Sequence, residues 1–158
     1  MKIEKDFKEF LVLLNREKVK YLIVGGFAFS FHGEPRYTKD IDFFVESSSE
    51  NALKIILAIN AFWEKDSGLK IGDLEKKGVI IQMGYPPIRI DIITSIDAVD
   101  FAEAWGKKVT AQYGDIPAFF ISMDDLIRNK LACGRERDIL DAKYLEKIKA
   151  ASGVRSQK

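Results

Sequence analysis

The chain contains very few of the residues that build disulfide frameworks and zinc sites, and it has no long apolar run. It has one cysteine, Cys133, and one histidine, His32, among 158 residues. One cysteine cannot form an intramolecular disulfide, which favours a reducing, cytoplasmic location. One histidine rules out zinc sites with two histidine ligands and leaves little scope for Ser-His-Asp or Cys-His catalysis. Since no apolar run reaches the length of a membrane span and the N-terminus lacks the apolar segment of a signal peptide, we expect neither membrane insertion nor secretion.

Net charge is also low, at +1 from 25 basic and 24 acidic residues. This balance gives no overall attraction for nucleic acid, although it is compatible with a local basic patch. The content of 47% hydrophobic and 31% charged residues is ordinary for a soluble globular protein. A chain of this length can bury a hydrophobic core without disulfides. We therefore expect one domain over residues 1–150 and a frayed, polar tail over residues 151–158.

The pattern of apolar residues predicts a fold of the α/β (α+β) class. Apolar residues at three- and four-residue spacing predict a helix over residues 7–19, and short apolar runs predict strands over residues 21–24 and 40–45. The other predicted elements are a short helix over 27–31, a helix starting in the serine cluster at 47–51, a hairpin of 79–83 and 88–93, a short helix over 97–105, a strand pair of 108–112 and 116–121, and two C-terminal helices over 122–132 and 135–150.

The pair Gly25-Gly26 follows the first predicted strand and opens the short helix after it. Glycine lets the backbone approach a phosphate closely, and the free N–H groups of a helix N-terminus favour negative charge. Taken alone, the pair is better explained as a tight strand-to-helix turn.

Three aspartates are candidates for metal binding. Asp40 and Asp42 are two residues apart in a strand, so both side chains project to one face and repel each other unless a cation lies between them. Mg²⁺ takes carboxylate and phosphate oxygens as ligands. Asp91 stands in an apolar run with Arg89, where a carboxylate is costly unless it is paired or coordinated. The alternatives are that Asp40 and Asp42 solvate the end of a strand, and that Asp91 pairs with Arg89 or a lysine on an edge strand.

Taken together, these motifs resemble the DNA polymerase β-like nucleotidyltransferase superfamily. The resemblance rests on Gly25-Gly26, Arg36-Tyr37-Thr38, Asp40-Ile41-Asp42 and Arg89-Ile90-Asp91-Ile92. Within that superfamily, the chain resembles the small bacterial and archaeal proteins related to AbiE-type toxin nucleotidyltransferases. The C-terminal residues that are similar to that group are Lys130-Leu131-Ala132, Arg137-Asp138 and Asp141.

The resemblance implies a mixed β-sheet flanked by helices, with two C-terminal helices. It also implies that Asp40, Asp42 and Asp91 are catalytic and bind two Mg²⁺ or Mn²⁺ ions. The implied reaction is transfer of a nucleoside monophosphate from a nucleoside triphosphate such as ATP to a hydroxyl of RNA, protein or a small molecule. In the implied two-metal mechanism one ion activates the hydroxyl, and the other holds the triphosphate and stabilises the leaving pyrophosphate.

Five further residues are expected to bind the nucleotide. The resemblance implies that Gly25 and Gly26 contact the β- and γ-phosphates and that Lys130 projects toward the triphosphate. Arg36 and Thr38 are expected to reach phosphate or to fix the carboxylate strand. Two simpler alternatives are that Arg36 pairs with Glu34 and that Lys130 is a solvated surface lysine.

Asp138 and Asp141 share a helix face, and we expect them to build an ion-pair network that locks the final helices.

Two features keep a second hypothesis open. Many superfamily members have Gly-Ser at the turn, whereas Gly26 supplies only backbone, and the chain has no obvious extra domain for a large acceptor. A catalytically silent nucleotide-binding or interaction module with the same fold is therefore the alternative. A homodimer or an antitoxin-like partner protein could supply the acceptor surface, and we expect either a monomer or a homodimer.

Overall fold

A six-stranded mixed β-sheet organises the fold. The computed structural model describes residues 4–84 and 87–156, with side chains described up to residue 152. The strands are β1 (Tyr21–Val24), β2 (Asp40–Val45), β3 (Ile80–Met83), β4 (Arg89–Ile93), β5 (Val109–Tyr113) and β6 (Ile116–Phe120). Their order across the sheet is β3-β4-β2-β1-β6-β5. The pairs β2–β4 and β1–β6 are parallel, and the other three neighbouring pairs are antiparallel. The predicted mixed sheet flanked by helices is confirmed.

Seven helices lie within the described residues. They are α1 (Lys5–Arg16), α2 (Gly25–His32), α3 (Ser49–Trp63), α4 (Ile71–Leu74), α5 (Phe101–Gly106), α6 (Met123–Cys133) and α7 (Glu136–Ser156). None of these is both long enough and apolar enough to span a membrane.

Aromatic side chains of β2 pack on both faces of the sheet. The ring of Phe43 lies 5.7 Å from that of Phe10 in α1, and the ring of the next residue, Phe44, lies 5.1 Å from that of Phe101 in α5. Successive strand residues point to opposite faces, so the sheet has a hydrophobic layer on each side. Strand β1 is buried at all four positions, as expected for a central strand covered on both faces.

Helix-capping signals in the sequence predicted two helix starts correctly. The hydroxyls of Ser48 and Ser122 accept hydrogen bonds from the backbone N–H groups of Asn51 and Asp125, at the starts of α3 and α6. Such caps satisfy backbone donors that have no partner inside the helix.

Three predicted helix boundaries are wrong, and α4 was not predicted. The helix predicted over residues 7–19 already ends at Arg16, and the backbone turns at Lys18, which has a φ of +58°. The helix predicted over residues 97–105 begins only at Phe101, because Ile96 and Val99 form a β-bridge and the Asp100 carboxylate caps the helix. Helix α7 continues through Ser156, so the segment predicted as a frayed tail from residue 151 is helical up to that point. No proline follows residue 150 to interrupt the helical hydrogen bonds. Residues 157 and 158 lie outside the described residues.

A buried amide fixes the end of the β1–β2 pair that lies far from the aspartates. The Asn51 side chain accepts a hydrogen bond from the Lys20 N–H at 2.8 Å and donates to the carbonyls of Lys20 at 3.1 Å and Glu46 at 2.9 Å. It is 2% exposed, so these backbone groups have little access to water as an alternative partner. The amide therefore ties α3 to the start of β1 and the end of β2.

We expect the Asn51→Ala substitution to lower the free energy of unfolding by about 3 kcal/mol, because it leaves three backbone groups without this partner. Urea unfolding measures the change. The matched control is Asn60→Ala, which removes one hydrogen bond, from Ser67 N–H, and should cost about 1 kcal/mol. Equal losses in the two variants would contradict a special role for Asn51.

Candidate active site

The pairing of β2 with its two neighbours brings the three predicted aspartates together. Asp42 is opposite Val24 of β1 on one side and opposite Asp91 of β4 on the other. Because β2 and β4 are parallel and in register, Asp42 and Asp91 lie on the same face of the sheet. Asp40 lies two residues away on that face and is opposite Arg89.

Arg89 contacts two of these carboxylates. Its Nη2 atom lies 3.1 Å from Oδ2 of Asp40, and its Nε atom lies 3.3 Å from Oδ1 of Asp91. The alternative in which Asp91 pairs with Arg89 is therefore present, although β4 is an interior strand and not an edge strand. Asp91 is 7% exposed, and its Oδ1 atom accepts no hydrogen bond despite the ion-pair contact.

The environment of Asp42 disfavours its ionised form. Burial raises the pKa of Asp42, and the charge of Asp91, a hydrogen bond with Asp91 and the charge of Asp40 raise it further, to about 7, against an opposing effect of Arg89. A neighbouring cation would reverse this effect, because opposite charge favours the carboxylate.

Gly25 makes room for the Asp42 carboxylate. A Cβ atom on Gly25 would collide with Oδ2 of Asp42, and the backbone of Gly25 has a φ of +66°. Both observations require glycine at this position. A Cβ atom on Gly26 would lie 3.1 Å from Cγ2 of Thr38, which is tighter than an ordinary contact. The glycine pair therefore lets the start of α2 pack directly against β2 and the segment before it.

The start of α2 has no side-chain cap. Its N-cap residue, Val24, provides no side-chain hydrogen bond to the first turn of the helix. Such a helix N-terminus combines backbone donors with the positive end of the helix dipole. The hydroxyl of Thr38 donates to the Asp40 carbonyl at 2.7 Å and thereby fixes the entry into β2, one of the two roles expected for this residue.

An open cleft of about 700 Å³ lies beside this corner of the sheet. Gly25, Gly26 and Asp42 belong to its lining, and Lys130 and Asp141 of the C-terminal helices line it as well. Asp91 is not part of the lining. The volume is within the range of small-molecule sites.

Arg36 and Lys130 share one acidic partner. The Asp141 carboxylate accepts from Nη2 of Arg36 at 2.9 Å and from Nζ of Lys130 at 3.1 Å. Burial alone raises the pKa of Asp141, but the hydrogen bonds from these two cations outweigh it and lower the pKa overall. The Arg36 guanidinium also lies 3.9 Å from the centre of the Phe29 ring.

These contacts correct two of the simpler alternatives. Arg36 pairs with Asp141 and not with Glu34, whose carboxylate instead accepts from the Tyr144 hydroxyl at 3.3 Å. Lys130 is 7% exposed, so it is not a solvated surface lysine.

The ion-pair network expected at the C-terminal helices is present. Asp138 lies 3.8 Å from Lys130 Nζ and 2.7 Å from Arg135 Nε, and Asp141 binds Lys130 as described. Gly134, with a φ of +74°, ends α6 and turns the chain into α7. Arg135 also lines the cleft, but it was not predicted from the sequence as a site residue. Its position three residues before Asp138 was the sequence feature that could have indicated an ion pair there.

The oxygens of the three carboxylates are suitable ligands for a divalent cation, but the Arg89 side chain lies among them. Within the described residues, no group of three aspartate, glutamate, histidine or cysteine side chains is arranged to hold a metal ion. The donors are nevertheless oxygens of the type that Mg²⁺ prefers. The buried Oδ1 of Asp91 has no hydrogen bond, and burial together with the charges of Asp91 and Asp40 raises the pKa of Asp42.

Comparison with known proteins first defines the class of fold. The structure is similar to the 1.87 Å crystal structure of a Thermotoga maritima protein described as a "putative nucleotidyltransferase", with a TM-score of 0.55. The two share 16% sequence identity, and the match covers 96% of this chain and 91% of the other. At this identity the likeness shows a nucleotidyltransferase-like fold and nothing finer. No curated protein sequence matches the chain.

A family model then gives the particular group. The chain belongs to the family described as nucleotidyltransferase of unknown function (DUF6036), whose model matches residues 1–150. The relation to AbiE-type toxins and the roles of the individual site residues stay predictions.

We expect Gly25→Ala to lower the free energy of unfolding by about 2 kcal/mol or more, through the clash with Asp42 and the positive φ. Gly72→Ala is the matched control, because no atom lies within 4 Å of its Cβ position and its φ is not positive, so its effect should stay below about 1 kcal/mol. In an Asp42→Ala background the cost of Gly25→Ala should fall to the backbone strain of about 1 kcal/mol, as a double-mutant cycle would measure. Additive costs would contradict the direct contact.

We expect Asp42→Asn to stabilise the protein in buffer with EDTA, and increasingly so as the pH rises. The pKa of Asp42 is raised from 3.8 to about 7 by folding, so the parent loses stability as the pH rises through that interval. The asparagine substitution removes this loss, and its advantage should reach about 1–3 kcal/mol near pH 8 and be smaller near pH 5. Urea unfolding at both pH values measures it.

The control for this experiment is Asp6→Asn, at an exposed position. Its effect should stay within about 0.5 kcal/mol at both pH values. Destabilisation by Asp42→Asn at the higher pH would contradict the repulsion between the clustered carboxylates.

Proposed function

We propose that this protein is a divalent-cation-dependent nucleotidyltransferase that moves a nucleoside monophosphate from a nucleoside triphosphate to a hydroxyl acceptor. The observation that carries the proposal is the opposition of Asp42 and Asp91 on two parallel strands. Two carboxylates in register repel each other when both are ionised, and a shared divalent cation would relieve that repulsion. The family description and the fold support the same class of reaction.

The proposed cation site consists of Asp40, Asp42 and Asp91, which would hold two Mg²⁺ or Mn²⁺ ions. When bound, such ions neutralise phosphate charge and lower the pKa of an attacking hydroxyl. Asp91 is the proposed proton acceptor for that hydroxyl, because its buried Oδ1 atom accepts no hydrogen bond. Proton transfer to a carboxylate requires such an available oxygen within hydrogen-bond reach.

The triphosphate is proposed to lie between the start of α2 and the C-terminal helices. The backbone N–H groups at Gly25 and Gly26 face the phosphate charge, as in other phosphate sites at helix N-termini. Lys130 and Arg36 line the same cleft, and Asp141 holds both cations in fixed positions. Their orientation before substrate arrives lowers the reorganisation needed in the reaction.

The acceptor proposed from the AbiE-type resemblance is RNA. The cleft supports a polyanionic substrate, because five basic side chains line it: Arg36, Lys39, Lys130, Arg135 and Arg137. Two of these, Lys39 and Arg137, form no ion pair with any described residue, so their charges are available to phosphate. A cytoplasmic location and an antitoxin-like partner belong to the same proposal.

One observation favours the second candidate, a catalytically silent nucleotide-binding module. Arg89 already neutralises part of the charge on Asp40 and Asp91, which lowers the need for a metal ion. Such a module would bind a nucleotide in the cleft and transfer nothing.

We expect the purified protein to transfer label from at least one α-labelled nucleoside triphosphate to cellular RNA or protein in the presence of Mg²⁺ or Mn²⁺. Asp42→Asn and Asp91→Asn should each lower the rate by about 100-fold or more while the fold is retained, because each removes a carboxylate needed by the reaction. Gel separation of labelled products measures transfer, and circular dichroism checks folding.

The exposed Asp6→Asn variant is the control and should transfer label at the parental rate. Nucleotide binding, measured by calorimetry, separates the two candidate functions. Binding without transfer under all conditions would support the silent module. Full activity in Asp91→Asn would contradict the proposed role of Asp91 in the reaction.

A further inference from the structure

One side chain, that of Arg89, connects the carboxylates of two strands. Arg89 is opposite Asp40 in the β2–β4 register and two residues before Asp91 on the same face of β4. Its Nη2 lies 3.1 Å from Asp40, and its Nε lies 3.3 Å from Asp91. A single guanidinium therefore bridges two of the three carboxylates in the proposed cation site.

The guanidinium contacts the same oxygens that a divalent cation would need. Asp91 Oδ1 has Arg89 as its ion-pair partner and accepts no hydrogen bond from any described group. Two positive groups cannot share one buried oxygen without strong repulsion. A divalent cation at this position would therefore compete with the Arg89 side chain for these oxygens.

The local structure allows the side chain to move while the backbone stays in place. The Arg89 N–H donates to the Lys39 carbonyl at 2.9 Å, which fixes the main chain at the start of β4. The side chain itself is 45% exposed. The guanidinium can therefore move into water, and an incoming divalent cation would replace it beside the buried Asp91 carboxylate.

We propose that Arg89 is a displaceable counter-cation, which neutralises Asp40 and Asp91 when the site holds no metal and opposes divalent-cation binding until it is displaced. This inference rests on the proposed cation site. Arginine suits the task better than lysine, because its planar fork carries separate donors that reach two carboxylates at once. Arg89 thus sets the divalent-cation concentration at which the site fills.

The test compares Mn²⁺ binding by the full-length parent with that of four variants: Arg89→Gln, Arg89→Lys, Lys77→Gln and Asp42→Asn. Mn²⁺ is titrated by electron paramagnetic resonance in the presence of α,β-methylene ATP, whose α–β linkage cannot be cleaved, so the measurement does not depend on turnover. Arg89→Gln should lower the Mn²⁺ dissociation constant by about fivefold, because the competing ion pair is absent. Arg89→Lys keeps a positive charge but not the fork, so its constant should fall between those of the parent and Arg89→Gln.

Lys77→Gln is the control for the loss of one positive charge outside the site. Lys77 is exposed, it does not line the cleft, and no described residue forms an ion pair with it, so this substitution should change the Mn²⁺ constant by less than about twofold. In EDTA, Arg89→Gln should also melt at a lower temperature than the parent, and Mn²⁺ should raise its melting temperature more than it raises that of the parent.

The outcomes separate this inference from the proposed function. Unchanged or weaker Mn²⁺ binding in Arg89→Gln, with binding still lost in Asp42→Asn, overturns the counter-cation and leaves the cation site standing. Equal tightening in Lys77→Gln also overturns it, since the loss of any positive charge would then explain the effect. Absence of Mn²⁺ binding in every variant overturns both. If Arg89→Gln does not fold, the Arg89→Lys comparison decides the matter.

Discussion

The repulsion between Asp42 and Asp91 is the constraint on which the arrangement of this corner of the molecule depends. Hydrogen bonding between the parallel strands β2 and β4 holds the two carboxylates opposite each other. Burial raises the pKa of Asp42 most, and the charge of Asp91 raises it further. Strand pairing and the aromatic layers around Phe43 and Phe44 supply the stability that keeps these like charges together. Functional sites commonly retain such locally unfavourable arrangements, because the rest of the fold over-determines them.

The surrounding residues are explained by the need to accommodate these carboxylates. Gly25 has no side chain because the Asp42 carboxylate lies where its Cβ atom would be. Thr38 holds the backbone at Asp40, and Arg89 supplies the positive charge. The glycine pair is thus more than a tight turn, since one of its members is required by contact with an aspartate distant in the sequence. Val24, the N-cap residue of α2, provides no side-chain cap, and the first turn of α2 lies beside the cleft.

A second group of charges faces this corner across the cleft. Asp141 of α7 fixes Lys130 of α6 and Arg36 of the segment before β2, so one carboxylate joins three parts of the chain. Burial makes this network specific, because an unpaired lysine or carboxylate would be costly there. The acidic group lies at the sheet, and the group held in ion pairs lies at the C-terminal helices. The two walls of the cleft therefore differ in charge. The fold and the family place the chain among nucleotidyltransferases of unknown function, and this division of charge is what the chain adds to that description.

The sequence by itself determined the local elements of the protein. Strands β1 and β2 have the predicted bounds, and the caps at Ser48 and Ser122 start the predicted helices, because apolar periodicity and side-chain caps act over a few residues. Period-two spacing likewise put Asp40 and Asp42 on one face. Only the tertiary structure decided which strands pair and in what register. The bridge formed by Arg89 and the pairing of Arg36 with Asp141, 105 residues away, depend on how packed layers meet, and no local preference encodes that.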